Sequence, residues 1–165
     1  MKVLHAGCGR QHLPEWMKVA QEVRLDIDSD ASPDICASLT ELGDIGQYAA
    51  VYCSHALEHL TLTDIKKALA EFYRVIADQG ALIIMVPDME GIEPTDDVVY
   101  MTEDGISITG LDMFYGWQVQ VDANPYMSHK YAFTKKTLCK VIEDCGFTIK
   151  TCLSTQWNLL AVATK

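Results

Sequence analysis

The chain has 165 residues, 49% apolar, 22% charged and 8% aromatic, with a formal net charge of -10. One domain of this size buries roughly 70% of its unfolded surface and holds a core without staples. The acidic balance argues against a nucleic-acid backbone as partner, which needs a basic face, and no apolar run approaches the ~20 residues that span a bilayer.

The N-terminus carries one Lys before a run broken by His5 and glycines, which is not the pattern of a signal peptide. Six cysteines, at 8, 36, 53, 139, 145 and 152, include no Cys-x-x-Cys pair, and several lie in apolar runs. They read as reduced thiols of a cytoplasmic protein. The expected organisation is a single domain over 1–165, with an acidic insert at about 88–133.

In chain order, a strand is predicted over Lys2–Ala6, ending at Gly7. The crossover Arg10–Gln21 is short and holds Pro14, so its helix is stunted. Glu22–Ile27 is the second strand and ends at Asp28. Ala49–Ser54 and Ala81–Val86 are continuous apolar runs, as strands buried on both faces read, and Pro87 stops the latter. Between them a helix is predicted over Thr63–Ala77, with Ile65, Leu69, Phe72 and Ile76 on one face. Thr61 or Thr63 caps it, and Gln79-Gly80 ends it. The stretch 88–133 has no clean period and carries nine acidic residues against Lys130 alone, which suits a lid or binding element. A helix follows from Thr134 with Leu138, Val141, Ile142 and Cys145 inward. Gly146 suits a left-handed cap, with Phe147 making the accompanying apolar contact. Phe147–Ser154 alternates, placing Phe147, Ile149, Thr151 and Leu153 on one face. Asn158–Thr164 is the last strand. Strands alternating with helices define an α/β domain with a mostly parallel sheet.

In such sheets ligands bind where strands end. Gly7-Cys8-Gly9 lies at the end of strand one, where glycine permits a sharp turn and close approach of a ligand. A dinucleotide loop wants a third glycine where His12 stands, and no Gly-Lys-Ser/Thr is present, so a phosphate-binding loop is not supported. Asp26 and Asp28, at the end of strand two, suit a ribose diol. Together these features point to an adenosine-type ligand.

The runs VLHAGCGR, RLDIDSDASPDI and AAVYCSHALEHL, followed by HKYAFTKKTLCKVIEDCGF, resemble in order the class I S-adenosylmethionine-dependent methyltransferases, most nearly the small type 11 branch. The resemblance implies a Rossmann-like, doubly wound, mostly parallel seven-stranded sheet with an antiparallel last strand, and S-adenosylmethionine as cofactor. It implies that Gly7, Cys8 and Gly9 pass under the methionyl part and that Asp26, or else Asp28, holds the ribose. Ser38 and Leu39 fall at the adenine, with Ser38 replacing the usual acid. Ser54 and His55 lie beside the methyl group, and His5 replaces an acid before the loop. The N-terminal roof helices of many members are not expected here, so the site is open or is roofed by the insert or by a second copy in a homodimer.

His55 and His129 are the candidate bases, and Asp88 and Tyr131 the candidate acceptor contacts. Met113, Phe114, Tyr115 and Trp117 read as an aromatic lid, as packing of the insert, or as a dimer contact. The expected reaction is O-methylation of a small molecule or glycan, with no metal. One alternative is a non-catalytic cofactor-binding protein on the same fold. Another is a zinc hydrolase, since His55-Ala56-Leu57-Glu58-His59 spells H-x-x-E-H. There His55 and His59 would hold zinc and Glu58 would be the base. Otherwise His59 reads as a structural histidine at a helix start.

Overall fold

The computed structural model describes residues 1–17, 21–102 and 104–165. In chain order its elements are β1 (Lys2–Ala6), β2 (Gln21–Asp26), β3 (Ile35–Cys36), β4 (Tyr48–Ser54), α1 (Leu62–Val75) and β5 (Ile76–Pro87). The insert contributes β6 (Val98–Met101), β7 (Ser107–Thr109), α2 (Gly110–Tyr115) and α3 (Gln118–Ala123). Then come α4 (Lys135–Asp144), β8 (Thr148–Thr155) and β9 (Asn158–Thr164). Among the described residues the crossover after β1 forms a 3₁₀ turn at Glu15–Met17, and residues 18–20 of that crossover lie outside the described residues.

The sheet has seven strands in the order β3-β2-β1-β4-β5-β9-β8. β1, β2, β3, β4 and β5 pair in parallel. The last strand, β9, runs antiparallel between β5 and β8. This is the expected Rossmann-like α/β architecture. Parallel pairing brings Ala6, Asp26, Ser54 and Pro87 to one edge of the sheet, where ligands bind.

The main core lies on one face. Leu4, Val51, Leu82 and Ile84 from the sheet meet Ile65, Leu69 and Phe72 of α1 and Leu138 and Ile142 of α4. Each fully buried Leu, Ile or Phe side chain there contributes about 1.5–3 kcal/mol. On the other face Val3, Ala50, Tyr52 and Ile83 meet Leu13 and Met17. No helix of the described residues is long and apolar enough to cross a membrane, and all six cysteines are free thiols.

Three local expectations change. Thr61 caps α1, accepting from the Asp64 N–H, but the helix ends at Val75 and not Ala77. Ile76 is fully buried and pairs with Tyr48, which draws the chain into β5. Gln79-Gly80 therefore lies inside β5, where the register with β4 slips between Ile76 and Ala81. In β8, Lys150 is an extra residue between Ile149 and Thr151. A bulge of one residue inverts the faces beyond it, so Cys152 is buried and Leu153 exposed, not the reverse. Gly146 takes φ +95° as expected of that cap, its N–H donating to the Glu143 carbonyl and the Phe147 N–H to the Ile142 carbonyl, and Phe147 packs edge-on to Tyr73 of α1.

The insert is folded, not irregular. β6 and β7 form an antiparallel ribbon. Met89, Ile108 and Met113 form a small core of their own, with Phe114 and Trp117 against it. The insert is closed at its base by the Met89 N–H donating to the Phe133 carbonyl.

Candidate functional site

The glycine loop is tied to β2. The Gly7 and Cys8 N–H groups both donate to the Leu25 carbonyl, at 2.8 and 3.1 Å. The Gly9 N–H donates to Asp26 Oδ2 at 2.7 Å, and the Asp28 N–H to Asp26 Oδ1 at 2.9 Å. Arg24 adds a bond from its guanidinium to the Gly9 carbonyl at 2.6 Å. The half-buried Asp26 carboxylate thus stands beside the loop with its geometry fixed. Asp28 is exposed and instead caps the turn Ser29–Ala31, accepting from the Asp30 N–H.

The two glycines differ. Both adopt left-handed backbone, φ +69° at Gly7 and +49° at Gly9. A Cβ at Gly7 would lie 2.5 Å from the Cβ of Ala56. Gly7 therefore serves close packing of the loop on the segment after β4, and not ligand clearance alone. A Cβ at Gly9 would meet nothing within 4 Å, so the open side of the loop is at Gly9. Leu39 flanks the loop, its Cδ1 3.7 Å from the Gly7 Cβ position. Ser38 Oγ bonds the Thr40 hydroxyl at 2.8 Å. The Cys8 thiol is buried, which pushes its pKa up.

His5 has a bracing role, unlike the cofactor contact expected of it. It is buried, with Nδ1 2.8 Å from Glu22 Oε1 and its ring edge-on to Tyr52. Glu22 also bonds His12 Nδ1 and accepts from the Leu13 N–H. The pair thereby fixes the chain just after the loop. Burial holds His5 below its ordinary pKa despite Glu22. Burial would raise Glu22, but hydrogen bonds from His12, His5 and Leu13 outweigh it and lower its pKa.

The second half of the site follows β4. Ser54 ends the strand, and His55 turns the chain with φ +50° while its N–H donates to the Met85 carbonyl. The turn Leu57–His59 buries Leu57 and Glu58. The Glu58 carbonyl accepts from the Lys130 and Tyr131 N–H groups at 2.7 and 3.1 Å, clamping the end of the insert onto this turn. His129 is thereby brought beside His59, with ring centroids 5.1 Å apart.

These side chains line a cavity of about 240 Å³ between the sheet edge and the insert. Its walls include His55, Glu58, His59 and Pro87 on one side and Met113, Trp117 and His129 on the other. Trp157, from the β8–β9 turn, closes one end and stacks on Tyr100 of the insert at 5.4 Å. The insert of the same chain supplies the wall, and its aromatic residues act both as packing and as lining.

Within the cavity the Glu58 carboxylate is 2% exposed, and neither oxygen has a hydrogen-bond partner among the described residues. His55 Nδ1 approaches Oε1 at 3.2 Å without hydrogen-bond geometry. His59 Nδ1 faces the Ser128 carbonyl at 3.2 Å, and His129 Nδ1 faces the Met113 carbonyl at 2.8 Å. A carbonyl only accepts, so each ring carries a proton on Nδ1, which in the neutral imidazole leaves Nε2 bare. Burial lowers the pKa of His129, which favours that neutral form.

Two acceptor contacts expected from the sequence are not in this cavity. Asp88 accepts from Ser154 Oγ at 2.6 Å and from the Glu90 N–H, and lines a separate shallow depression. Its neighbour Pro87 lines the cavity instead. Tyr131 packs on Phe133 at the margin of the main core. The sequence singles out Trp117 as part of a lid, but not Glu58 as a site residue of the favoured reading, nor Tyr100 and Trp157. The only signal for Glu58 was the spelling HALEH, which does not reveal that His129 is its neighbour.

The chain is an α/β domain with a glycine loop at the end of β1 and a cavity beyond the end of β4. A methyltransferase-domain family model matches residues 1–151, and the chain belongs to that family. No curated protein matches the chain in sequence. Among solved structures it is similar to an S-adenosylmethionine-dependent methyltransferase from Mesorhizobium loti, with TM-score 0.70, 14% identity, and 99% of this chain covering 90% of that one. It is also similar to one from Clostridium acetobutylicum, with TM-score 0.70, 10% identity and coverage of 99% and 83%. A third is magnesium protoporphyrin IX methyltransferase from Synechocystis, with TM-score 0.60, 17% identity and coverage of 100% and 70%.

Proposed function

We propose that this protein transfers the methyl group of S-adenosylmethionine to a hydroxyl oxygen of a small molecule or glycan. The observation that carries the reading is the pairing of two features at one sheet edge. Gly9 opens onto free space beside the fixed Asp26 carboxylate, and Ala56, which packs against Gly7, is the chain neighbour of His55 in the cavity wall.

The cofactor supplies an electrophilic methyl group on a sulfonium, and the protein supplies position and an activated nucleophile. Asp26 keeps lone pairs for the ribose hydroxyls while both its oxygens accept backbone N–H groups. Leu39 supports the loop from the side. The insert supplies one wall of the cavity. His55 stands at its half-exposed mouth with the Glu58 carboxylate behind it, and takes the acceptor's proton. A positioned base contributes typically 10²–10⁴-fold.

The test is release of S-adenosylhomocysteine from S-adenosylmethionine across a panel of phenols, polyols and saccharides. Turnover is expected with at least one hydroxyl acceptor. His55→Ala should lower kcat by about 10²–10⁴-fold with cofactor affinity unchanged. Cofactor binding with no turnover across the panel would favour the non-catalytic reading, and turnover only with amines would overturn the oxygen assignment.

A further inference from the structure

We propose that Glu58, His59 and His129 form a binding site for a dication of the zinc, cobalt and iron(II) class, which holds the acceptor oxygen. The first observation is the Glu58 carboxylate, buried to 2% exposure, with no hydrogen-bond partner on either oxygen among the described residues and only the ion-pair approach of His55 Nδ1 to Oε1 at 3.2 Å. Buried carboxylates are otherwise hydrogen-bonded or bound to metal. The second is the locking of both imidazoles from behind. Nδ1 of His59 and of His129 each faces a backbone carbonyl, at 3.2 and 2.8 Å. That arrangement fixes the tautomer and orients Nε2, as outer partners of metal-bound histidines do. The third is convergence. One ligand atom from each of the three residues lies within 4.8 Å of the others, and bonds of about 2.0–2.2 Å to one ion would draw them closer together.

The donor set decides the class of ion. Two neutral imidazoles and one carboxylate suit zinc, cobalt or iron(II), while magnesium and calcium prefer oxygen alone. Three protein ligands leave a position open, and the cavity is the space that adjoins it. This site differs from the H-x-x-E-H reading of the sequence. His129, from the far end of the insert, completes it in place of His55, and Glu58 is a ligand and not the base.

The role given to the ion rests on the methyl-transfer reading, whereas its binding does not. The acceptor hydroxyl occupies the open position, and the metal acidifies it. Its proton passes to His55. The oxygen then attacks the methyl carbon; the C–O bond forms, the S–C bond breaks, and its electron pair stays on sulfur. No oxidation state changes.

The test uses the full chain without a histidine tag, stripped with chelator. Co²⁺ is titrated with visible absorption as readout, Zn²⁺ stoichiometry is measured after dialysis, and S-adenosylhomocysteine affinity is measured on the same samples. One ion per chain is expected. His129→Ala and Glu58→Gln should each weaken Co²⁺ by more than the roughly 10–100-fold that losing an outer partner costs. His12→Ala, an exposed histidine outside the cluster, should retain it. Should Glu58→Gln fail to fold, His59→Ala replaces it. Folded wild type that binds S-adenosylhomocysteine but no stoichiometric metal overturns the site, as does full Co²⁺ affinity in His129→Ala. Metal binding without S-adenosylhomocysteine binding leaves the site standing and overturns the methyl-transfer role.

Discussion

Asp26→Asn changes one atom and tests both duties assigned to that carboxylate. In the native protein Oδ2 accepts from Gly9 and Oδ1 from Asp28. An amide offers one acceptor and one donor, so one of the two N–H groups loses its partner. A hydrogen bond to a charged group contributes about 1.5–3 kcal/mol, and the site is only half-buried, so a cost of about 1.5–2 kcal/mol is expected. For a domain of this length, each kcal/mol moves Tm by roughly 2–4 °C, which gives a fall of about 3–8 °C by calorimetry. The ribose loses a charged acceptor as well, so S-adenosylhomocysteine should bind roughly 10–100-fold more weakly in a calorimetric titration. An unchanged Tm and an unchanged Kd together would refute the reasoning. A lower Tm with native affinity would keep the loop tie and move the ribose site to Asp28.

The glycines should separate by phenotype. Gly7→Val drives side-chain atoms into Ala56 and should fail to fold or melt far lower, whereas Gly9→Ala, costing about 1–2 kcal/mol for its left-handed backbone, should fold and lose cofactor affinity; native affinity in Gly9→Ala would contradict the assigned open side. Tyr100→Ala removes the stack on Trp157, worth about 0.5–1.5 kcal/mol. It should alter Trp157 fluorescence and raise the KM for acceptor more than that for cofactor, and equal rises would show that the insert does not wall the acceptor. Acidification supplies the pH prediction. His5 and Glu22 both have lowered pKa values in the fold, so the unfolded chain takes up protons first. Their stabilisation is complete above the ordinary histidine value of 6.5 and falls below it as His5 of the unfolded chain protonates, then further below the ordinary glutamate value of 4.5. His5→Gln should shrink the loss of Tm between pH 7 and 5, and an equal loss in that variant would contradict the bracing role.

Much of the sheet was legible because its strands are buried on both faces and read as apolar runs. β1 and β9 have their expected bounds, and β4 begins only one residue early. The errors fall where local pattern meets tertiary demand. Ile76 continued the helical period, yet its burial against Tyr48 recruits it to β5. Alternation placed Leu153 inward, but the bulge at Lys150 is set by pairing with β9 and leaves no mark in the sequence. β3 has two residues, too few for any period to register. In the site, the glycine loop and Asp26 are contiguous with strand ends and so were readable. Glu58 and His129 become neighbours only because the insert folds back and donates two N–H groups to the Glu58 carbonyl. Asp88 stood next to the right place in sequence, but its tie to Ser154 turns it away from the cavity.

The most direct measurement is thermal melting of the ligand-free chain with S-adenosylmethionine, S-adenosylhomocysteine and NAD, each at millimolar concentration. A ligand at 100 times its Kd adds about 2.7 kcal/mol, which for this length is roughly 5–10 °C. The account predicts that rise with the two adenosyl sulfur compounds and none with NAD. No rise with either sulfur compound, or a rise with NAD alone, would contradict it.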